Sequence, residues 1–287
     1  MQLNTAPHIL RGKINNIYRF LSNCDKILVM EFSTIASGSS GNCIYIKGGS
    51  TRLLVDVGCS MRHVRDSLAS MSANIEDIDA ILITHEHSDH ISKVASLSKK
   101  YNIPVFASPL TWENLPFYHD YFPWQRHIFE YGMEIGDISL DFFKLSHDAV
   151  QPVGFVFMAE GQRVGVATDT GKITDAMLHK LANVDGLILE ANHDRDMLMR
   201  GPYPGCLKRR VISDTGHLSN DQSAQALNQL IGPHTAHIIL AHLSETNNEP
   251  GLALRCIERH LADAGIDSSL ISVAPRKSAH ELVVLDR

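Results

Sequence analysis

The chain has 287 residues, 44% apolar and 20% charged, the composition of an ordinary folded protein with a sizeable core. No stretch approaches the ~18 uncharged apolar residues that a membrane helix needs, and five scattered cysteines, none in a C-x-x-C pair, argue against a disulfide framework or a thiolate zinc site and fit a reducing cytoplasm. A formal charge of −6 excludes nucleic-acid binding through the whole surface, so a polyanionic substrate must be met by a local basic patch. Residues 1–29 are polar and aperiodic and lack the apolar segment of a secretory signal. They are expected to be an N-terminal extension, either disordered or the product of a misassigned start, with residues 30–287 forming the folded domain.

From Glu31 the chain reads as strands at Phe32 to Ala36, Cys43 to Lys47 and Arg52 to Asp56, the last two joined by a Gly48-Gly49 hairpin turn. A helix over 60–72 carries Met61, Val64, Leu68 and Met71 at helical spacing and leads to a buried strand from Ala80 to Ile83. A turn then opens one helix at about Ser88 that ends before Pro104. The aromatic stretch Trp112, Phe117, Tyr118, Tyr121, Phe122 and Trp124 reads as loop-rich local packing. The second half repeats the theme. Strands are expected at Ile138 to Leu145, Gly154 to Met158, Arg163 to Thr168, Gly186 to Glu190 and Ala236 to Ala241, with two more near 270–274 and 281–285. Helices are expected at 174–183 and 250–264 and at a capping-box start Ser219-Asn220-Asp221-Gln222, with a helical region over 194–214.

The chemistry concentrates where the strand at Ala80 to Ile83 stops, in Thr84-His85-Glu86-His87-Ser88-Asp89-His90. Open α/β sheets place ligand crevices at the C-terminal ends of strands. His85 and His87, two apart in extended chain, project to one side and can share a metal ion; Asp89 and His90 diverge as the helix begins and can address a second. Imidazole with carboxylate suits Zn²⁺ or a similar divalent ion. Exposed loop histidines are the bland alternative, and four ligand-type residues in six positions directly after an apolar strand weigh against it. His147, Asp169 and His242 each follow an apolar run and offer themselves as partners. No Gly-x-Ser-x-Gly motif or activated cysteine points to a protein nucleophile.

The H-x-H-x-D-H pattern resembles that of the metallo-β-lactamase superfamily. The resemblance implies an α/β fold, the four-layer αβ/βα sandwich, and two divalent ions, Zn²⁺ or Mn²⁺. Carried over, His85, His87 and His147 would hold the first ion, Asp89, His90 and His242 the second, and Asp169 would bridge them. Asp56, in Val-Asp-Val-Gly, resembles the superfamily's first motif and would accept a hydrogen bond that orients a ligand. Asp56, Asp89 and His217 are expected to serve catalysis.

Substrate choice rests on further stretches. Ser37-Gly38-Ser39-Ser40-Gly41-Asn42 is a candidate anion cradle through Ser39, Ser40 and Asn42. Gly216-His217-Leu218-Ser219-Asn220 places an imidazole at a helix start, with Ser219 and Asn220 as phosphate contacts. Asn192 and His193, in Glu190-Ala191-Asn192-His193-Asp194, could line the same pocket, and Glu190 reads equally as a support for a ligand or as part of a core network. With T-D-T-G and H-L-S-x-x-N-N, these stretches look like the YycJ/WalJ-type branch of the superfamily. That implies a cytoplasmic exonuclease degrading DNA from the 5′ end, with DNA as the partner and no membrane; no feature addresses oligomeric state. Arg195, Arg200, Lys208, Arg209 and Arg210 form a candidate stripe for a phosphate backbone. The alternative is a small-molecule hydrolase of the same fold, acting on a thioester or cyclic phosphodiester.

Overall fold

A computed structural model describes residues 29–117, 119 and 126–286. The expected extension, apart from residue 29, lies outside these residues, as do Tyr118, Tyr121, Phe122 and Trp124 of the aromatic stretch. In chain order the first half comprises β1 (Met30–Ala36), β2 (Cys43–Gly48), β3 (Thr51–Val55), α1 (Met61–Ser70), β4 (Ala80–Leu82), α2 (Ser88–Ile91), α3 (Val94–Tyr101), β5 (Val105–Ala107), α4 (Pro109–Asn114) and β6 (Arg126–Ile128). The second comprises β7 (Met133–Ile135), β8 (Ile138–Lys144), β9 (Val153–Ala159), β10 (Gln162–Ala167), α5 (Asp175–Leu181), β11 (Gly186–Glu190), α6 (Arg195–Arg200) and α7 (Gly205–Val211). It continues through α8 (Asn220–Leu230), β12 (His237–Ala241), α9 (Pro250–Asp263), β13 (Ile271–Val273) and β14 (Val283–Val284).

Among the described residues the strands form two seven-stranded sheets, ordered β14-β1-β2-β3-β4-β5-β6 and β13-β12-β11-β10-β9-β8-β7. The inner faces of both sheets meet in one apolar layer that includes Phe32, Val55, Leu82, Phe155, Phe157, Ile188 and Ile239. A second layer seals α5, α8 and α9 onto the second sheet through Met177, Leu227 and Ile257, and a third seals α1, α3 and α4 onto the first through Val64, Leu97 and Trp112. Strands covered on both faces need apolar residues throughout, and every residue of β11 is buried. This is the expected four-layer sandwich.

Strand direction positions the site. Strands β3 to β6 run parallel, as do β10 to β13. Strands β8 and β10 both pair antiparallel with β9, so their C-terminal ends share one edge with those of β11 and β12. The residues that follow β3, β4, β8, β10, β11 and β12 therefore converge on one rim.

One expectation is corrected here, and two stretches gain detail. The helix expected from Ser88 to before Pro104 is broken at Ser92-Lys93 into α2 and α3, where Lys93 N–H donates to Val57 O (2.9 Å) instead of extending a helical ladder. Between Pro104 and Ile138, where no strand was expected, the structure adds the helix α4 and the strands β5, β6 and β7, three residues each and too short to show a period. The helical region 194–214 is two helices separated at Gly201 to Pro204.

Candidate metal centre and its surroundings

Three site residues end their strands in the left-handed region: Asp56 (φ 58°) after β3, Asp169 (φ 60°) shortly after β10 and His242 (φ 56°) after β12. Aspartate and histidine tolerate this conformation better than most residues, at a cost of about 1–3 kcal/mol each that the surrounding structure must meet. Each turn is held. Asp56 N–H donates to Leu82 O (2.8 Å), and His242 N–H donates to the Ser37 hydroxyl (2.6 Å) while Asn192 Nδ2 donates to His242 O (2.9 Å).

The rim gathers the expected ligands into adjoining groups. The ligand atoms of His85, His87 and His147 lie within 4.8 Å of one another, as do those of Asp89, His90 and His242. Asp169, 2% exposed, stands between them: Oδ2 is 3.3 Å from His90 Nε2, while Oδ1 is 3.5 Å from His242 Nε2 and 3.8 Å from His147 Nε2.

Four imidazoles are oriented the same way, by a hydrogen bond at Nδ1. His85 Nδ1 meets the Thr84 hydroxyl (2.9 Å), His90 Nδ1 meets Asp56 Oδ2 (2.7 Å), His147 Nδ1 meets Gly216 O (3.1 Å) and His242 Nδ1 meets Glu190 Oε1 (2.9 Å). Because a carbonyl or carboxylate only accepts, Nδ1 carries the proton in the last three and Nε2 offers its lone pair to the cluster. The Thr84 hydroxyl donates to Asp56 Oδ2 (2.7 Å), so it too accepts from its histidine. His87 differs, presenting Nδ1 at 3.3 Å from His147 Nε2. That is about the separation of two nitrogens each ~2.0–2.1 Å from one tetrahedral ion.

A divalent ion fits this donor set. His85 Nε2, His242 Nε2 and Asp169 Oδ2 are buried and make no hydrogen bond, although an unpaired buried polar atom costs about 1–3 kcal/mol. A cation is the partner that all three can share. The electrostatics agree. Burial favours neutral His242, yet Asp169, Asp89 and Glu190 outweigh it and push its pKa up to about 10. Burial likewise opposes charge on His90, and Asp169 and Asp56 raise its pKa well above the ordinary value. The cluster is built to hold positive charge.

Glu190 is the support that the motif reading left undecided. Its Oε1 accepts from His217 Nδ1 (2.7 Å) and His242 Nδ1, and its Oε2 from the N–H groups of Thr170 (2.9 Å) and Leu218 (3.2 Å). Burial favours the neutral acid, but His217 and then His242 hold its pKa at about 2. With both oxygens accepting, Glu190→Gln has no place for its amide hydrogens and forces one imidazole into the wrong tautomer. Metal affinity is expected to fall about 10- to 100-fold with the fold retained; a calorimetric metal titration showing unchanged affinity would refute this role.

A cavity of about 240 Å³ opens over the cluster, its walls including Ser39, His87, Asp89, His147, Asp169, Asn192, His217 and His242. Asp148, Tyr203 and Arg210 complete it, none of them singled out as a pocket residue by sequence. Arg210 Nε donates to Asp148 Oδ2 (2.5 Å), tying α7 to the loop of His147.

Several expected substrate contacts do not line this cavity. Asn42 is spent on bracing: Nδ2 reaches Asp89 Oδ2 (3.2 Å) and His90 Nε2 (3.0 Å), and Oδ1 accepts from Gly38 N–H (2.9 Å). Ser219 caps α8, with its hydroxyl accepting from Gln222 N–H (3.3 Å). Asn220 is locked in a reciprocal amide pair with Asn248 (2.8 and 3.1 Å). His193 is buried and kept neutral by that burial, with its pKa at about 4. Ser40 is exposed beside Ser39 but is not in the wall. Asp56 is 2% exposed and reaches the site only through Thr84 and His90. Of the basic stripe only Arg210 lines the cavity, and Arg200 pairs with Asp196 at the surface (3.8 Å).

The sequence model of the β-lactamase superfamily domain matches residues 51–243, a span that contains every expected ligand from His85 to His242. The chain belongs to the β-lactamase superfamily. Within that superfamily it falls in the YycJ/WalJ-type branch. It is 41% identical over 254 residues to the exodeoxyribonuclease WalJ of Streptococcus pneumoniae serotype 2 (strain D39 / NCTC 7466), covering 85% of this chain and 94% of that one. It is 38% identical over 239 residues to the exodeoxyribonuclease YycJ of Bacillus anthracis, covering 82% and 90%. Among solved structures the metallo-β-lactamase fold protein YhfI from Bacillus subtilis superposes with a TM-score of 0.66 at 16% identity, covering 90% of this chain and 99% of that one, and shows the shared superfamily fold alone.

Proposed function

We propose that this chain is a metal-dependent phosphodiester hydrolase of the cytoplasm, a 5′-to-3′ DNA exonuclease using two divalent ions, Zn²⁺ or Mn²⁺. The observation that carries the reading is one juxtaposition: members of two ligand groups, with Asp169 between them, line one cavity together with an imidazole, His217, and a guanidinium, Arg210. The similarity to two proteins named exodeoxyribonucleases over nine-tenths of their length supports DNA as the substrate. The cavity volume, about 240 Å³, is below the ~300–1,000 Å³ typical of pockets that enclose a whole small molecule. It suits a phosphodiester whose flanking nucleotides lie outside.

In this reading His85, His87 and His147 hold one ion, Asp89, His90 and His242 the other, and Asp169 both. When bound, the pair would supply a nucleophile at neutral pH and neutralise charge developing on the phosphate. The chain's own groups do the rest. Arg210, always charged, meets a phosphate oxygen. His217, with Nδ1 on Glu190, has Nε2 left to meet substrate; burial disfavours its charged form, but Glu190 outweighs this and raises its pKa. A proton on Nε2 can then pass to the departing 3′ oxygen as the P–O bond breaks. Ser39 and Asn192 complete the wall as polar contacts.

The test is digestion of linear duplex DNA labelled at either the 5′ or the 3′ end, with an Asp89→Ala control. Early release of 5′ label as mononucleotide by the wild type alone is expected. Early release of 3′ label would reverse the polarity, and cleavage of a thioester or cyclic phosphodiester with DNA left intact would replace the assignment by the small-molecule one.

A further inference from the structure

A second group of ligating side chains lies on the helical layer behind the site, independent of what the enzyme cuts. Cys256 and His260 are four residues apart on α9 and so share a face, and Asp221 in the first turn of α8 reaches across to them. Their ligand atoms lie within 4.8 Å of one another. Cys256 Sγ is 3.4 Å and His260 Nε2 3.7 Å from the same oxygen, Asp221 Oδ1. His260 Nδ1 is 2.9 Å from Cys256 O. A carbonyl can only accept, so Nδ1 carries a proton and Nε2 is the ring nitrogen turned toward the carboxylate. The carboxylate oxygen, the sulfur and Nε2 thus converge on one point. A backbone hydrogen bond at Nδ1 is also the usual device for fixing a metal-binding histidine.

We propose that Asp221, Cys256 and His260 bind one Zn²⁺-like ion that clips α8 to α9. Thiolate, imidazole and carboxylate together select a borderline divalent ion, and three protein ligands leave a fourth position for water. On binding, Cys256 gives its thiol proton to solvent as the metal–sulfur bond forms, and His260 offers the lone pair of Nε2. Arg259, whose Nη2 lies 4.0 Å from Asp221 Oδ1, is 70% exposed and free to swing away. The clip bears on the candidate site through sequence alone: Asp221 follows Ser219 and Asn220, which anchor the loop carrying His217.

Co²⁺ titration of the full-length protein tests this, because sulfur-to-cobalt charge transfer absorbs in the near ultraviolet and the ligand groups at Asp169 contain no sulfur. The band's final amplitude is expected to correspond to one thiolate-bound ion per chain, to vanish in Cys256→Ser and to persist in Cys206→Ser. In His260→Ala it should need at least the ~10-fold more metal that loss of even an outer partner demands. No band from the wild type in excess Co²⁺, or one that survives Cys256→Ser, would overturn the proposal and leave the trio as side chains gathered on Asp221 without a metal.

Discussion

Asp169→Ala is expected to lower kcat by about 10³-fold or more. Asp169 is the one carboxylate placed between both ligand groups, within 4 Å of His90, His147, His217 and His242. Metal-centred stabilisation of a transition state is worth several kcal/mol, and each ~1.4 kcal/mol is tenfold in rate. If Asp169 serves both proposed ions, losing it would disturb both, so the effect should exceed that of losing Glu190, which acts through its histidines. Single-turnover DNA cleavage reads this directly, with circular dichroism showing retained structure. A folded Asp169→Ala enzyme within tenfold of wild type would remove Asp169 from the centre.

Gly58→Ala should cost at least about 3 kcal/mol of stability, at the upper end of overpacking penalties. A Cβ on Gly58 would sit 1.6 Å from Asp89 O and 2.4 Å from Asp89 C, backbone atoms that no rotamer change can move aside. The same contact is a hydrogen-bonded crossing: Asn42 N–H donates to Asp89 O, Gly58 N–H to Asn42 O and Val57 N–H to His90 O, each at 2.8 Å. Three segments that build the site are stitched at this point, so metal affinity should fall with stability. Denaturant unfolding of the metal-free protein isolates the steric part. An unchanged midpoint would show that the loop has room to shift.

The metal-ligand constellation was legible because its chemistry is local: an apolar run fixes a strand, and the polar residues that follow must lie at its end. His147, Asp169 and His242 could be chosen by the same rule applied strand by strand. Of their supports, Asp56 was legible from its motif and meets His90 as expected, Glu190 was left between two readings, and Thr84 was not read at all. Thr84 and Glu190 act on histidines through a turn and a strand end whose pairing is set by the whole sandwich, with Glu190 meeting His242 from 52 residues away. Arg210 joins the cavity only because α7 folds back on Asp148, 62 residues earlier. The opposite error came from polar loops. Asn42, Ser219 and Asn220 look like phosphate contacts in sequence, but buried backbone groups had prior claim on Asn42 and Ser219, and Asn248 on Asn220. The strands from Val105 to Ile135 escaped because three-residue strands carry no period; β14 was expected near 281–285, but nothing local announces that it returns to pair with β1.

The most direct test is to strip the Cys256→Ser protein of metal with a chelator and follow 5′ label release from duplex DNA as Mn²⁺ or Zn²⁺ is returned, counting bound ions by mass spectrometry. The Cys256→Ser background removes the site proposed between α8 and α9. Activity absent without metal and maximal only at two ions per chain is the predicted result. Full activity at one ion, or activity that survives complete removal, would contradict a centre in which both ligand groups work as a pair.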